Sequence, residues 1–311
     1  MHYKTALRKA TDTALGLVPS PLARYLLKSY GSRQSLRNRV RFHVQAFNYF
    51  SPIADISEVD LPQLLAKRDL GGLLPELSTF DSLLEQFKPF AAEVKSFPKK
   101  AGNETPFWFH NFSYEDMDAV TLYSMLRHLK PKRMIEVGCG FSSRMTTIAA
   151  NKNAAEGSPL DAVFIEPYPA PYLLNYKLCG PLLVQKIQQV PLDRFAQLES
   201  GDILFIDTSH VLKTQNDLCY ILLHILPRLA KGVYIHFHDI FTPYDYPESW
   251  LLQTACYYNE QYALEAILRN SDNFEVILPV YALWRDRHEK LVALLPDAEI
   301  SGAAFWIRKN P

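Results

Sequence analysis

The sequence predicts an α/β fold: a doubly wound, mainly parallel sheet preceded by a helical extension. From about residue 107, short apolar runs alternate with amphipathic segments, which is typical of βαβ units. The first of these runs ends in a glycine turn that leads directly into a helical segment. At 311 residues, the chain is long enough for one large α/β domain and an additional helical region.

Residues 1–106 are predicted to form the N-terminal helical extension or cap, and residues 107–311 the α/β domain. Nine Lys or Arg residues and a single acid lie between Lys4 and Arg41. Such a segment can be a transit peptide or a membrane-surface helix. Aromatic and apolar residues threaded through and just after these charges favour a helical cap with a solvated basic face. The apolar helices of this extension could cover an active site, bind an acceptor or form a homo-oligomer.

Composition excludes several classes of protein. The 33 basic and 33 acidic residues balance, so the net charge gives no reason to expect a nucleic-acid partner. No apolar run approaches the roughly 20 residues that span a bilayer. The scattered cysteines argue against a disulfide framework and a thiolate zinc site, and they suit a reducing, cytoplasmic compartment. They are Cys139, Cys179, Cys219 and Cys256.

Further elements follow the period of the apolar residues. In the extension, helices are predicted at residues 1–50, 61–67 and 80–95, with a linker at residues 97–106. In the α/β domain, helices are predicted at residues 114–129, 214–229 and 250–269. Strands are predicted at residues 133–138, 162–167, 202–207, 232–239, 274–281 and 303–309, the last two as an antiparallel hairpin. Ligands of doubly wound sheets bind at the carboxyl ends of the strands, so the chemistry is expected there.

The stretch IEVGCGFSSRMTTIAA, residues 135–150, contains the glycine turn. Gly138 and Gly140 allow a tight turn close to a ligand, and Ser142 or Ser143 can cap the helix that follows. The dinucleotide fingerprint needs a third glycine, where this chain has a serine. Glu136, two residues before the first glycine, would repel a pyrophosphate but suits a ligand with an ammonium group.

Glu166 ends the second predicted strand and is placed to accept hydrogen bonds from both hydroxyls of a ribose. Together with the glycine turn, it describes a ligand with an amino-acid head and a ribose tail. S-adenosylmethionine fits this description. The alternative, in which Glu136 and Glu166 are two unrelated surface acids, requires both to align with the turn by coincidence.

Residues 107–309 resemble the class I S-adenosylmethionine-dependent methyltransferases. The segment E-V-G-C-G is similar to their first motif, with Ser142 in place of the frequent third glycine, and Glu166 matches their ribose-binding acid. The resemblance implies a seven-stranded, Rossmann-like sheet whose last strand is antiparallel. It also implies a methyltransferase activity.

Ionisable side chains cluster at the ends of the predicted strands 202–207 and 232–239, which count as the fourth and fifth strands of the seven-stranded sheet that the resemblance implies. Asp207 and His210 follow the fourth strand, and His236, His238 and Asp239 end the fifth. Such groups are costly to bury without partners, which predicts a functional site at this edge. His236 is interpreted as a structural histidine.

The segments D-T-S-H and H-D resemble a pattern in metal-dependent sugar O-methyltransferases. The resemblance implies that Asp207 and Asp239 ligate a divalent cation such as Mg²⁺ or Mn²⁺ and that His210 is the general base. Asp207 is also predicted to contact the cofactor. His238 stands where that pattern has an acid, and an imidazole ligand shifts the preference toward Mn²⁺, Fe²⁺ or Zn²⁺.

Two loops are predicted to flank the site. The sequence DIFTPYDYPESW after the fifth strand has the aromatic and proline content of an acceptor-binding lip. The sequence FWFHNFSYEDMD, residues 107–118, is placed to close over the cofactor, with His110, Asn111 and Tyr114 as candidates. An aromatic cluster packing the linker would equally explain the second loop.

The predicted function is methyl transfer from S-adenosylmethionine to a hydroxyl of a small-molecule or sugar-like acceptor. A second reading has the same cofactor and a carboxylate or nitrogen acceptor, without a metal. A third has an iron site formed by His210, His238 and Asp239, and a fourth has a non-catalytic scaffold. The ionisable cluster argues against the scaffold.

Overall fold

The computed structural model describes residues 21–22, 25–26, 49–102 and 106–310. The chain divides into two compact units, Met1–Asp60 and Leu61–Pro311. In the first unit, the described part includes a 3₁₀ turn over Ile56–Glu58, which begins where the Asp55 side chain accepts a hydrogen bond from the Ser57 amide. The predicted helices of residues 1–50 and the basic segment lie mostly outside the described residues.

The second unit contains a seven-stranded sheet of order β3-β2-β1-β4-β5-β7-β6. Only β7 runs antiparallel to its neighbours β5 and β6, as the predicted hairpin requires. The predicted fold class is therefore confirmed. The strands are β1 Arg133–Val137, β2 Asp161–Ile165, β3 Leu182–Leu183, β4 Ile203–Ile206, β5 Tyr234–Phe237, β6 Phe274–Pro279 and β7 Phe305–Lys309.

Both faces of the sheet are covered, which explains the continuous apolar runs of its central strands. In β4, Ile203 and Phe205 pack into one hydrophobic cluster, whereas Leu204 and Ile206 pack into the other. All four of these side chains are buried. The polar groups that follow β4 therefore lie at the edge of the sheet, directly after a fully buried apolar strand.

Helices fill both layers around the sheet. They are α1 Leu61–Leu65, α2 Asp81–Val94, α3 Asp116–Leu129, α4 Phe141–Ala155, α5 Pro171–Leu174, α6 Leu192–Ala196, α7 Asp217–Tyr220, α8 Glu248–Leu252, α9 Glu260–Arg269, α10 Val280–Asp286 and α11 His288–Val292. Leu84 and Phe87 of α2 belong to the same hydrophobic cluster as Met117 of α3 and Met145 of α4. Helix α2 thus belongs to the core that packs on the sheet, and a domain boundary at residue 106 stays a prediction.

Two predicted helices differ from the structure, and one strand was not predicted from its residues. Strand β3 has two residues and is too short to give a sequence pattern. The helix predicted at residues 214–229 is α7 followed by a π turn and a 3₁₀ turn, the latter containing Pro227. The helix predicted at residues 250–269 is broken into α8 and α9, because the amides of Asn259 and Glu260 bond to the carbonyl of His210 instead of continuing a helix.

Among the described residues, no helix combines the length and the apolar character that a bilayer crossing demands.

Candidate active site

The glycine turn brings the end of β1 against the end of β4. Gly138 has φ 81°, and a Cβ atom there would lie 1.5 Å from the backbone oxygen of Asp207. The Asp207 amide donates to the Val137 carbonyl at 2.9 Å. Only glycine fits this close approach, so the turn holds Asp207 beside the start of α4.

Glu136 is fully buried and does not line the cavities described below. Its Oε1 accepts hydrogen bonds from Ser142 Oγ at 2.8 Å and Ser143 Oγ at 2.5 Å, and its Oε2 accepts one from Thr146 Oγ1 at 3.1 Å. Burial raises the pKa of Glu136 to about 7, and the three hydroxyls offset this only in part. This geometry argues against the predicted contact with an ammonium group, and it fastens the first turn of α4 to β1.

Two adjoining cavities lie at the carboxyl ends of β1, β2 and β4. Their volumes are about 530 Å³ and 190 Å³, and both are lined by Gly138, Glu166 and Asp207. The smaller cavity also contacts the predicted residues Gly140 and Ser142, whereas Ser143 does not line it. Cavities of this total size hold small organic ligands.

Glu166 lies between these cavities, in the place predicted for the ribose-binding acid. Its Oε2 accepts from the Cys139 amide at 3.2 Å, and its Oε1 accepts from the Tyr168 amide at 2.7 Å. The two backbone bonds fix the carboxylate between the glycine turn and the loop after β2.

Four ionisable residues after β4 and β5 form a closed ring of alternating acids and imidazoles, called here the histidine–carboxylate ring. His210 Nε2 lies 3.1 Å from Asp207 Oδ1 and 3.3 Å from Asp239 Oδ2. His238 Nδ1 lies 3.5 Å from Asp207 Oδ2 and 3.4 Å from Asp239 Oδ1. The side chains of Asp207 and Asp239 are 28% and 16% exposed, against 8% and 7% for the histidines, so the carboxylates form the open side of the ring.

A second acid holds the remaining nitrogen of each histidine. Glu260 Oε2 lies 2.9 Å from His210 Nδ1, and Asp118 Oδ2 lies 3.1 Å from His238 Nε2. Asp118 is itself fixed by the amides of Ala303 and Ala304.

Sequence reasoning missed both of these outer acids. Glu260 is 50 residues from His210 and Asp118 is 120 residues from His238, so no local motif joins either pair. The one available signal is Asp118, an acid within an apolar stretch of α3.

The carboxylates set the charge of the imidazoles. Burial lowers the pKa of His210, but Asp207, Glu260 and Asp239 outweigh it and raise the pKa to about 10. Burial likewise opposes protonation of His238, yet Asp239, Asp207 and Asp118 raise its pKa well above the usual value. Both shifts favour the imidazolium form, and the two histidines together lower the pKa of Asp207 against its burial.

Two neighbouring members of the ring have left-handed backbone conformations. The φ angle is 56° at His210 and 59° at Asp239. Non-glycine residues adopt this region rarely and at a cost in free energy, and such residues concentrate at functional sites.

His236 is not part of the ring. It is fully buried, its ring stacks on Phe205 at 4.0 Å, and neither ring nitrogen has a hydrogen-bond partner among the described residues. Burial lowers its pKa well below the usual value, so it is a neutral core side chain.

The two predicted flanking loops lie beside the ring. Tyr258 packs on His210 with ring centroids 4.8 Å apart, and it contacts Tyr246 and Trp250 of the predicted acceptor-binding lip. In the other loop, His110 Nε2 lies 3.7 Å from Asp116 Oδ1, whereas Tyr114 lines the smaller cavity.

The residues do not fit the predicted metal site of Asp207, His238 and Asp239. All four carboxylate oxygens face imidazole nitrogens of the same ring, and His238 has its second nitrogen on Asp118. Within the described part of the chain, no three His, Cys, Asp or Glu side chains are arranged to hold a metal ion.

Part of the chain, including the four members of the histidine–carboxylate ring, is similar to known methyltransferase domains. Residues 135–240 match a family model described as a methyltransferase domain. An uncharacterized protein of Archaeoglobus fulgidus is 31% identical over 100 residues, which are 31% of this chain and 44% of that protein. The chain therefore matches less than half the length of this relative.

Solved structures with a similar course of the chain include CalS11, a TDP-rhamnose 3'-O-methyltransferase of calicheamicin biosynthesis. It is 15% identical, with a TM-score of 0.41, and the match covers 78% of this chain and 99% of CalS11. An O-methyltransferase from Bacillus cereus, solved with SAH, is 12% identical, with a TM-score of 0.34. The match covers 77% of this chain and 94% of the Bacillus cereus chain. At these TM-scores the likenesses carry no argument about substrate.

Proposed function

We propose that this chain, whose residues 135–240 match a methyltransferase-domain family model, is a class I S-adenosylmethionine-dependent methyltransferase that methylates a hydroxyl oxygen of a small-molecule or sugar-like acceptor. The observation that carries the proposal is the histidine–carboxylate ring beside the two cavities. In this ring, His210 Nε2 lies 3.1 Å from Asp207, which lines both cavities, and Glu260 holds Nδ1 on the other side of the imidazole.

The residues of the cavities fit the proposed cofactor. Glu166 presents its carboxylate to both cavities and suits the vicinal hydroxyls of a ribose. Both cavities are lined by Asp207, whose side chain is 28% exposed and whose carboxylate favours a cationic group at that point. S-adenosylmethionine supplies a sulfonium methyl group, whose carbon–sulfur bond breaks with its electron pair remaining on sulfur as the new carbon–oxygen bond forms.

His210 is the proposed general base. An alcohol is too weak an acid to attack as an alkoxide at neutral pH, so its proton must be accepted as the bond forms. Nε2 of His210 faces the open, carboxylate side of the ring, and Glu260 fixes the ring orientation through Nδ1. The proton of the hydroxyl would pass to Nε2, and Glu260 would stabilise the resulting imidazolium.

The carboxylates around His210 also make its action as a base depend on pH. With a pKa of about 10, His210 carries its proton at neutral pH in the ligand-free protein. The reaction requires the neutral form, so we expect the rate to rise with pH above neutrality. An acceptor with an already ionised carboxylate would show no such rise, which separates this proposal from carboxyl methylation.

The cofactor is tested by titration calorimetry with S-adenosylmethionine, S-adenosylhomocysteine and adenosine. We expect the wild-type protein to bind both amino-acid nucleosides and Glu166→Ala to weaken each by at least about tenfold, the scale of losing hydrogen bonds to a charged group. Glu289→Ala, which removes an exposed acid of α11, is the control. Absence of binding by the wild-type protein would refute the proposal.

Acceptors are sought by following S-adenosylhomocysteine formation with a panel of monosaccharides, nucleotide sugars, catechols and simple phenols. Release of S-adenosylhomocysteine with at least one hydroxylated compound is expected. Turnover with carboxylic acids or amines alone would instead support the second predicted function, methyl transfer to a carboxylate or nitrogen.

A further inference from the structure

Tyr114 lies in the loop before α3, and its backbone is unusually well fixed. Asn111 Oδ1 accepts from the amides of Ser113 at 3.0 Å and Tyr114 at 2.8 Å. Asn111 Nδ2 donates to the Tyr114 carbonyl at 2.8 Å. One side chain thus binds both backbone groups of Tyr114, which leaves this residue little freedom to move.

The side chain of Tyr114 is held between the smaller cavity and the histidine–carboxylate ring. It is 1% exposed, and its ring centroid is 5.0 Å from that of His238 and 6.0 Å from that of Phe205. It lines the smaller cavity together with Ser142 and Asp207. This cavity is the part of the pocket that adjoins the start of α4.

The hydroxyl of Tyr114 is buried and has no hydrogen-bond partner among the described residues. Buried hydroxyls are normally paired, because leaving one unpaired loses the hydrogen bonds that water would make. Burial, together with the charges of Asp118, Asp207 and Glu136, raises the pKa of this phenol well above its usual value. The group is therefore a neutral phenol whose oxygen can still accept a hydrogen bond from a ligand.

We infer that the Tyr114 hydroxyl oxygen accepts a hydrogen bond from the α-ammonium group of the bound methyl donor. It thereby takes the role that the sequence predicts for Glu136, which is closed off by three hydroxyls. This inference rests on the proposed function, because it requires an amino-acid nucleoside in the cavity.

Tyr114→Phe removes only the oxygen and is the variant that tests the inference. In calorimetry, we expect the affinities for S-adenosylmethionine and S-adenosylhomocysteine to fall about tenfold each, as for a lost hydrogen bond to a charged group. The affinity for 5′-methylthioadenosine, which lacks the amino-acid portion, should stay within about twofold of wild type. Because the deleted oxygen is unpaired, the ligand-free variant should have an equal or higher Tm.

Tyr123→Phe is the matched control on the adjoining helix α3. Its hydroxyl donates to Glu93 Oε2 at 2.5 Å, away from both cavities. This variant should show the opposite pattern, a lower Tm with unchanged affinity for all three nucleosides.

Three outcomes would overturn the inference while leaving the proposed function intact. These are unchanged affinities in Tyr114→Phe, an equal loss of 5′-methylthioadenosine binding, and a lower Tm of the ligand-free variant with no change in affinity. If the wild-type protein binds no nucleoside at all, the proposed function fails, and this inference fails with it.

Discussion

Two groups of buried acids lie at the carboxyl ends of neighbouring strands, and they are neutralised in different ways. At the end of β1, Glu136 is surrounded by three hydroxyls of α4, and its pKa is raised to about 7. At the ends of β4 and β5, Asp207 and Asp239 are met by two imidazoles.

The difference shows how the partner of a buried acid decides its role. Hydroxyls are neutral and only partly offset the free energy that a carboxylate loses with its hydration, so the pKa of Glu136 is raised. Its hydrogen bonds fasten α4 to β1. Imidazoles can carry the compensating charge themselves, so the histidine–carboxylate ring retains charges that chemistry can use. Gain or loss of a proton changes the net charge of this ring, and with it the reactivity of its open, carboxylate side.

The largest effect on activity is expected at His210, because this member of the histidine–carboxylate ring is the proposed general base. His210→Ala should lower kcat for the acceptor identified in the panel by about 10²–10⁴-fold, the range of general base catalysis. The affinity for S-adenosylmethionine by calorimetry should change less than about threefold, since His210 lines neither cavity. His224→Ala, at an exposed histidine, is the control. Near-normal turnover of His210→Ala would remove the base assignment.

The next largest effect is expected on stability, at Glu136, because this acid is bound by neutral hydroxyls and fastens α4 to β1. Its pKa rises from a usual 4.5 to about 7 on folding, so its contribution to stability is fully present below about pH 4.5 and is lost as the pH rises through about 7. Glu136→Gln cannot ionise. Relative to this variant, the wild-type free energy of unfolding should fall by up to about 3 kcal/mol between pH 4.5 and pH 8.

Urea unfolding of both proteins across this range measures the difference, and calorimetry adds a second test. Since Glu136 does not face the cavities, Glu136→Gln should bind S-adenosylmethionine like the wild-type protein. Parallel stability curves, or a variant that no longer binds the cofactor, would instead support the ammonium contact predicted from the sequence.

A smaller effect is expected at Glu260, which positions His210. Glu260→Gln removes a charge that raises the pKa of His210, so the rise of kcat/KM with pH should move to lower pH. The plateau rate should fall about tenfold because the imidazole is less firmly oriented. Glu265 lies on the same helix as Glu260 but contacts Arg68 and Thr242, so Glu265→Gln should affect stability and leave the pH profile unchanged. A profile that Glu260→Gln does not displace would argue against the positioning role.

The smallest effect is expected from chelation. Because the ring closes on itself and offers no arranged metal ligands, dialysis against EDTA should leave the rate within about twofold of its starting value. Loss of activity that Mn²⁺ or Mg²⁺ restores would return Asp207, His238 and Asp239 to their predicted role as ligands.

Much of the fold could be predicted because apolar periodicity and strand ends are local properties. The strands β1, β2, β4 and β5 each end close to a predicted boundary, and the glycine turn locates the cavities. The ring members Asp207, His210, His238 and Asp239 were also predicted, since parallel strands bring their carboxyl ends to one edge.

The remaining features depend on contacts that are distant in sequence. The break between α8 and α9 follows from backbone bonds to His210, which no helical pattern records. Glu136 was expected at the ligand because its strand position is right, yet the hydroxyls of Ser142, Ser143 and Thr146 reach it first. Glu260 lies in the middle of a predicted helix, so its contact with His210 had no sequence signature.

The left-handed backbone at His210 and Asp239 bears on how this protein would evolve in the laboratory. Glycine adopts that conformation without steric cost, and asparagine does so more readily than most residues. A library selected for heat resistance alone should therefore enrich glycine or asparagine at position 239, where burial also raises the pKa of the carboxyl, and those clones should lose turnover. His210 should be retained, because its loss would leave Asp207 and Glu260 without their partner. Sequencing such a library would map the catalytic edge of the sheet without any knowledge of the acceptor.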